Sequence, residues 1–178
     1  MTANKGRKKS AVRRSTARLA AVQALYQSEL TGQSPDRILD DFLTYGIGSR
    51  VPVPGAAADD YTETEEEHLL AEPDALLLSA IFRGALIRLD ALDGMIAGAL
   101  SGEWTVERLE AVLRSILRCG AFELADCPDV PVRVVISEYV DIAHAFYAGP
   151  EPGLVNAVLD RIAHVVRAQE MGDDVRSR

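Results

Sequence analysis

Apolar residues that recur at spacings of three and four most constrain what this chain can fold into. The pattern is clearest near the start, where one stripe is formed by Leu19, Val22, Tyr26 and Leu30. Such a stripe lines one face of an α-helix, which other helices must then cover. Residues 132–140 are rich in β-branched side chains, but their apolar residues keep helical spacing and no other segment offers a partner strand. We therefore predict an all-α fold of about seven helices.

Capping residues and glycines predict where the helices begin and end. Ser34 followed by Pro35 favours a helix start, whereas Gly32 favours a stop. The helices predicted in this way span residues 13–30, 34–46, 73–100, 105–127, 132–146 and 155–166. Three glycines inside the long third helix, at 84, 94 and 98, would each cost about 1 kcal/mol relative to alanine, so we expect close helix packing there.

Charge is distributed unevenly along the chain. The first 18 residues hold seven of the 19 basic residues and no acid, so the remaining 12 face all 27 acids. The net charge of -8 therefore conceals a basic arm, residues 1–14, on an acidic body. Residues 46–74 form a predicted mobile loop that is rich in Gly, Pro and Ala at first and acidic afterwards. We interpret its acids as a solvated segment rather than a cation site, because ligand spacing is missing.

The sequence offers no motif for catalysis, for a cofactor or for a metal. Histidines 68, 144 and 164 are scattered, and no phosphate-binding glycine loop or nucleophile motif is present. Cys119 and Cys127 are predicted to be free thiols, the first of them buried in the core. No apolar run reaches the length of a membrane span, and no signal peptide is evident, so a cytoplasmic protein is expected.

The N-terminal segment combines bases, an amide and an aromatic ring. Arg14 and Arg18 are one turn apart, and Gln23 and Tyr26 follow on the same predicted helix. Cationic groups neutralise phosphates, an amide can bind a base edge, and a ring can stack on a single-stranded base. This pattern indicates RNA binding. A solubilising tail with Tyr26 packed in the core is an equally open interpretation.

Four ordered motifs resemble the NusB family from about residue 13 to residue 166. The motifs are ARLAAVQALYQ at 17–27, SILRCGAFEL at 115–124, VPV with VISEYVDIA at 130–143, and VNAVLD at 155–160. The resemblance implies one helical domain, residues 15–170, of two packed helical subdomains, followed by a polar tail at 171–178. It also implies a non-catalytic function. Members pair with NusE, a small-subunit ribosomal protein, and the heterodimer binds boxA of nascent RNA so that RNA polymerase reads through terminators.

The resemblance also implies two sets of site residues. The RNA-facing set is Lys8, Lys9, Arg13, Arg14, Arg18, Gln23, Tyr26 and Arg118. The NusE-facing set is Leu113, Arg114, Leu154, Val155 and Asn156. A surface ion pair is the alternative role for Arg118, and core packing is the alternative for Val155. Leu154 replaces a usual Phe of the family, which bears on how strongly NusE would bind.

Two other functions compete with this expectation. One is an RNA-binding module related to those of ribosomal RNA methyltransferases, although no residues remain in this chain for a cofactor-binding domain. The other is a helical protein-interaction module that does not bind RNA. The sequence leaves open whether the free protein is a monomer or a homodimer.

Overall fold

Helices make up most of the structure, a computed structural model that describes residues 2–46, 71–102 and 104–176. Within these ranges there is no strand, which confirms the predicted all-α fold. The helices described are α1 (Thr2–Thr31), α2 (Pro35–Tyr45), α3 (Ala75–Ile87), α4 (Leu89–Ala99), α5 (Ala111–Asp126), α6 (Val132–Phe146), α7 (Glu151–Val166) and α8 (Ala168–Arg176). The predicted loop at 46–74 lies largely outside the described residues.

Helix α1 extends much further towards the N-terminus than predicted. The sequence pattern predicted a helix from residue 13 after a flexible arm, but α1 already begins at Thr2. Residues 6–12 are exposed throughout, so this part of the arm is a solvent-facing stretch of helix. Arg, Lys and Ala have high helix propensity, and the packed remainder of α1 supplies the helical nucleus that they extend.

The predicted boundaries around α2 are confirmed. Gly32 and Gly46 have φ angles of 63° and 73°, a left-handed backbone that glycine adopts without a Cβ clash. Ser34 is the N-cap, and its hydroxyl accepts a hydrogen bond from the Arg37 backbone N–H at 3.4 Å.

The single long helix predicted over 73–100 is wrong, because the chain divides it into α3 and α4 at Arg88. The backbone there leaves helical geometry, with φ -111° and ψ 17°. The Arg88 guanidinium forms an ion pair with Asp126 on α5. This break allows α3 to pack against α1 while α4 packs against α5 and α7. The N-cap of α3 is Asp74, whose Oδ1 accepts a hydrogen bond from the Leu77 N–H at 3.2 Å.

One further predicted boundary differs from the structure, at the start of α5. Thr105 precedes only a short 3₁₀ turn, Val106–Arg108, and α5 starts at Ala111. The predicted polar tail is largely α8, which is held to the fold because Glu170 accepts a hydrogen bond from the Val132 N–H at 2.8 Å. That bond satisfies one of the free N–H groups at the start of α6.

Helix α5 lies at the centre of the core and packs against α1, α3, α4, α6 and α7. Gly120 permits this crowding, because a Cβ there would lie 2.8 Å from a methyl group of Leu159. A Cβ at Gly84 on α3 would overlap the Phe122 ring, which confirms close packing at that glycine. Gly94 and Gly98 have no neighbouring atom within 4 Å of such a Cβ, so the same expectation is wrong for them.

Cys119 is part of this core, as predicted. Both cysteines are free thiols, and Cys119 is fully buried. Burial raises the pKa of the Cys119 thiol above its usual range, so the group stays neutral. Among the described helices, none has the length and apolarity that crossing a bilayer would require.

Candidate nucleic-acid interface

The exposed start of α1 carries the bases that the sequence analysis assigned to RNA. Lys8, Lys9 and Arg14 are exposed, and Arg13 is half-buried. No acidic residue precedes Glu29 on this helix. These side chains therefore form a positive surface that is able to neutralise phosphate groups.

Helical geometry places these bases on different faces of α1. Each residue turns the helix by about 100°, so residues 18 positions apart share a face. Lys8 precedes Tyr26 by that interval and lies about 27 Å from it along the axis. Arg14 is turned away from Tyr26 by roughly 120°. Lys8, rather than Arg14, is therefore aligned with the face that carries Tyr26.

Arg13 is held by the segment that leads into α3. Its Nε donates a hydrogen bond to the Glu72 carbonyl oxygen at 3.2 Å, and its guanidinium lies 3.9 Å from the Glu72 carboxylate. The Asp74 N–H donates to the Arg13 carbonyl oxygen at 3.0 Å. Acidic residues therefore lie directly beside the basic arm.

Arg18, expected to contact RNA, lies in the protein interior. Its side chain is only 2% exposed, and its Nε donates hydrogen bonds to the two carboxylate oxygens of Glu123 at 3.2 and 2.9 Å. The Tyr139 hydroxyl donates to the same carboxylate at 3.0 Å. The expectation for Arg18 is therefore corrected, because its guanidinium pairs with the buried Glu123 carboxylate. Arg18 also lies 3.5 Å from the Glu138 carboxylate on α6, so its contacts join α1 to α5 and α6.

The chemistry of this buried cluster favours the charged ion pair. Burial alone would lower the pKa of Arg18, but the hydrogen bond and the charge of Glu123 outweigh that effect and raise the pKa. Burial and the Glu123 charge also raise the pKa of Tyr139, so its hydroxyl remains a donor. The sequence contained a signal for this buried pair, because Glu123 lies between Phe122 and Leu124 on an apolar helix. An acid that is buried in such a place needs a cationic partner.

Tyr26 and Gln23 lie together in a groove between α1, α2, α5 and α6. The α1 groove encloses about 390 Å³ and is lined by Val22, Gln23, Tyr26, Gln27, Leu30, Thr31, Phe42, Val112 and Phe146. Tyr26 is half-buried and Phe146 is exposed. The sequence analysis did not assign Phe146, although its exposed ring at the end of α6 lies on the same groove. The mainly apolar lining of the α1 groove suits the flat face of an aromatic base.

Arg118 is held in an ion-pair network. Its Nε and one terminal nitrogen each donate to Asp93 at 2.7 Å, and its other terminal nitrogen donates to Glu29 at 2.8 Å. Arg114 pairs with the same Glu29 carboxylate. Burial alone would raise the pKa of Glu29, but hydrogen bonds and charge from Arg114 and Arg118 lower it. The geometry agrees with the ion-pair alternative for Arg118.

Two of the five predicted NusE-facing residues are buried. Leu113 is 2% exposed and Val155 is fully buried, so both are core residues and the expectation for them is corrected. Arg114 donates a hydrogen bond to the Leu109 carbonyl oxygen at 2.9 Å besides its pair with Glu29. Leu154 is half-buried and Asn156 is exposed, both in α7. These two side chains are the accessible part of the predicted set that no ion pair holds, whereas Arg114 is half-buried in its pair with Glu29.

The fold and this site define a class of protein, the all-helical proteins whose first helix joins a basic surface to an aromatic groove. The comparisons with known proteins identify the family within that class. This chain belongs to the NusB family. The sequence model of that family matches residues 15–164 of the chain. The resemblance stated from the four sequence motifs is thereby confirmed.

Similar proteins carry the same family name. The transcription antitermination protein NusB of Rhodospirillum rubrum is 44% identical over 98% of this chain and 95% of its own length. That of Bradyrhizobium sp. (strain BTAi1) is 43% identical over 92% and 89%. The solved structure of T. maritima NusB has a TM-score of 0.65 and 25% identity, covering 89% of this chain and 96% of that one.

A further structural neighbour supports the fold alone. It is a chain in the crystal structure of a plectonemic RNA supercoil, with a TM-score of 0.63 and 20% identity over 85% of this chain and 94% of that one.

Proposed function

We propose that this chain is a non-catalytic transcription antitermination factor that pairs with NusE and binds boxA-type RNA, so that RNA polymerase reads through terminators. Membership of the NusB family supports the general activity, because its relatives are named transcription antitermination proteins. The observation that best supports RNA binding is the continuity of α1, because this one helix connects the exposed basic residues to the α1 groove. We infer a cytoplasmic location, where nascent bacterial RNA is made.

The geometry supports a division of roles along α1. Lys8 and Lys9 would neutralise phosphate groups, with Arg14 adding positive charge from another face. At the groove, Tyr26 would stack on a base, and the Gln23 amide would hydrogen-bond to a base edge. Phe146 would add a second ring to the same site. Arg18 has no direct part in this arrangement.

Tyr26 gives the sharpest test of RNA binding. Labelled boxA RNA is titrated with the protein in the presence of NusE, and bound RNA is followed by fluorescence anisotropy. Tyr26→Ala is expected to cost about 1–3 kcal/mol of binding, roughly five- to 150-fold in affinity, because a stacked ring is lost. Tyr45→Ala is the matched control, since Tyr45 is 64% exposed and does not line the groove.

Several outcomes would contradict the proposal. If Tyr26→Ala lowers the free energy of unfolding and leaves RNA affinity intact, the ring serves the core only. If boxA and scrambled RNA bind equally, or if affinity does not change with salt, selective binding through phosphate contacts is wrong. If NusE binds and RNA does not, the chain is a protein-interaction module.

We further propose that NusE contacts the surface around Leu154 and Asn156. The two side chains stand at the start of α7, and the buried residues Leu113 and Val155 would support this surface from beneath. A separate titration of labelled NusE with the protein, without RNA, tests this part independently of RNA binding. Asn156→Ala should weaken NusE binding, and unchanged affinity would exclude this surface.

A further inference from the structure

The segment 71–74, just before α3, contacts the part of α1 where RNA phosphates would bind. Glu72 faces the Arg13 guanidinium with both its carbonyl oxygen and its carboxylate. The Asp74 backbone N–H then fixes the segment to the Arg13 carbonyl oxygen at 3.0 Å. Three separate contacts therefore hold this segment on the basic arm.

A cleft beside these contacts brings further charges together. It encloses about 270 Å³ and is lined by Gly6, Lys9, Ser10, Arg13 and Asp74. Asp74 uses its Oδ1 to cap α3, so its carboxylate is fixed in position at the cleft. Phosphate oxygens that enter this cleft would need the Arg13 guanidinium, which Glu72 already faces. An RNA phosphate at this site must therefore compete with Glu72 for Arg13, while the fixed Asp74 carboxylate adds negative charge beside it.

We propose that Glu72 is an autoinhibitory residue that competes with RNA phosphate for Arg13. This inference rests on the proposed RNA-binding function and adds an internal regulator to the same site. Glu72 is 84% exposed and its ion pair with Arg13 is long, at 3.9 Å, so RNA can displace it. Exposed pairs of this kind are weak and are screened by salt, so the expected effect is a few-fold change in affinity at low ionic strength.

The test compares Glu72→Gln with Glu107→Gln in the full-length protein. Both changes remove one exposed negative charge. Glu107 follows Val106, whose carbonyl oxygen accepts a hydrogen bond from Arg114 at 3.3 Å. Arg114 pairs with Glu29, which lies 16 residues or about 24 Å along α1 from Arg13. Affinities for labelled boxA RNA and for a scrambled RNA of equal length are measured at low and high salt.

Glu72→Gln is expected to bind both RNAs about two- to fivefold more tightly than wild type at low salt, and the gain should shrink at high salt. Glu107→Gln should match wild type. In an Arg13→Gln background the gain from Glu72→Gln should disappear, because the proposed contact is already absent.

The results separate this inference from the proposed function. Equal affinity of Glu72→Gln and Glu107→Gln overturns the autoinhibitory role, even where wild type prefers boxA RNA. A gain that persists in the Arg13→Gln background also overturns it. Equal binding of boxA and scrambled RNA refutes boxA selectivity, while the comparison of the two variants on either RNA still decides the role of Glu72. Absence of RNA binding by every variant refutes both.

Discussion

Replacing Arg18 by methionine should destabilise the protein without acting on RNA directly. The change would leave the Glu123 carboxylate, which is fully buried, without its guanidinium partner. Methionine keeps most of the unbranched volume of the arginine side chain, so the lost charge dominates. Removing one partner of a buried ion pair costs about 3–5 kcal/mol, because desolvation of the other charge is no longer offset.

Urea unfolding followed by circular dichroism measures this effect. In a thermal melt, a cost of that size corresponds to a fall in Tm on the order of 6–20 °C for a domain of this length. The matched control is Arg14→Met, which alters an exposed arginine one turn earlier on α1 and should change the free energy of unfolding by less than about 0.5 kcal/mol.

A double variant separates charge from packing. Arg18→Met with Glu123→Met removes both buried charges and should be more stable than Arg18→Met alone. Its remaining cost comes from the Tyr139 hydroxyl, which loses its carboxylate acceptor. The reasoning is refuted if Arg18→Met costs less than about 1 kcal/mol. It is also refuted if that variant loses RNA affinity while its stability is unchanged, since Arg18 would then act at the RNA surface.

Two other predictions concern packing and pH. Gly84→Ala should lower the free energy of unfolding by about 1–3 kcal/mol because the new Cβ overlaps the Phe122 ring, whereas Gly94→Ala should raise it by up to about 1 kcal/mol in the same urea titration. Glu29 has a lowered pKa when folded, so its contribution to stability is present above its unfolded pKa and is lost as pH falls through the folded pKa. Wild type should therefore lose more stability than Glu29→Gln between pH 6 and about pH 3, as measured by urea unfolding at each pH. Equal effects of the two glycine changes, or parallel pH profiles for wild type and Glu29→Gln, would contradict these explanations.

The sequence predicted those elements whose causes are local. Ser34 and Gly32 determine the boundary before α2 through their own backbone and hydroxyl groups, and the apolar spacing of 132–146 was sufficient for α6. The break at Arg88 was not predictable in this way, because it accompanies an ion pair with Asp126, which is distant in sequence. Local patterns cannot show which direction two successive helices must take to reach different neighbours.

The candidate site likewise contains residues that one helix alone predicts and residues that depend on contacts between helices. Gln23 and Tyr26 were assigned together because both lie on one helix, and the structure brings them to one groove. Phe146 joins that groove from α6, so its contribution depends on tertiary packing. Arg18 was assigned to RNA because a cationic group beside Arg14 can neutralise phosphate, whereas its environment is determined by Glu123 on another helix. For ionisable residues, the position of the partner decides between core and surface.

The uninterrupted course of α1 from Thr2 to Thr31 has a consequence for the length of RNA that the protein can bind. A continuous helix fixes both the distance and the angular phase between Lys8 and Tyr26. One inserted residue between them would rotate Lys8 by about 100° relative to the ring, whereas removing seven residues would shorten the gap by about 10 Å and nearly preserve the phase. Preference among RNAs would then depend on the spacing between a phosphate and a stacked base, a property of the helix rather than of any one side chain.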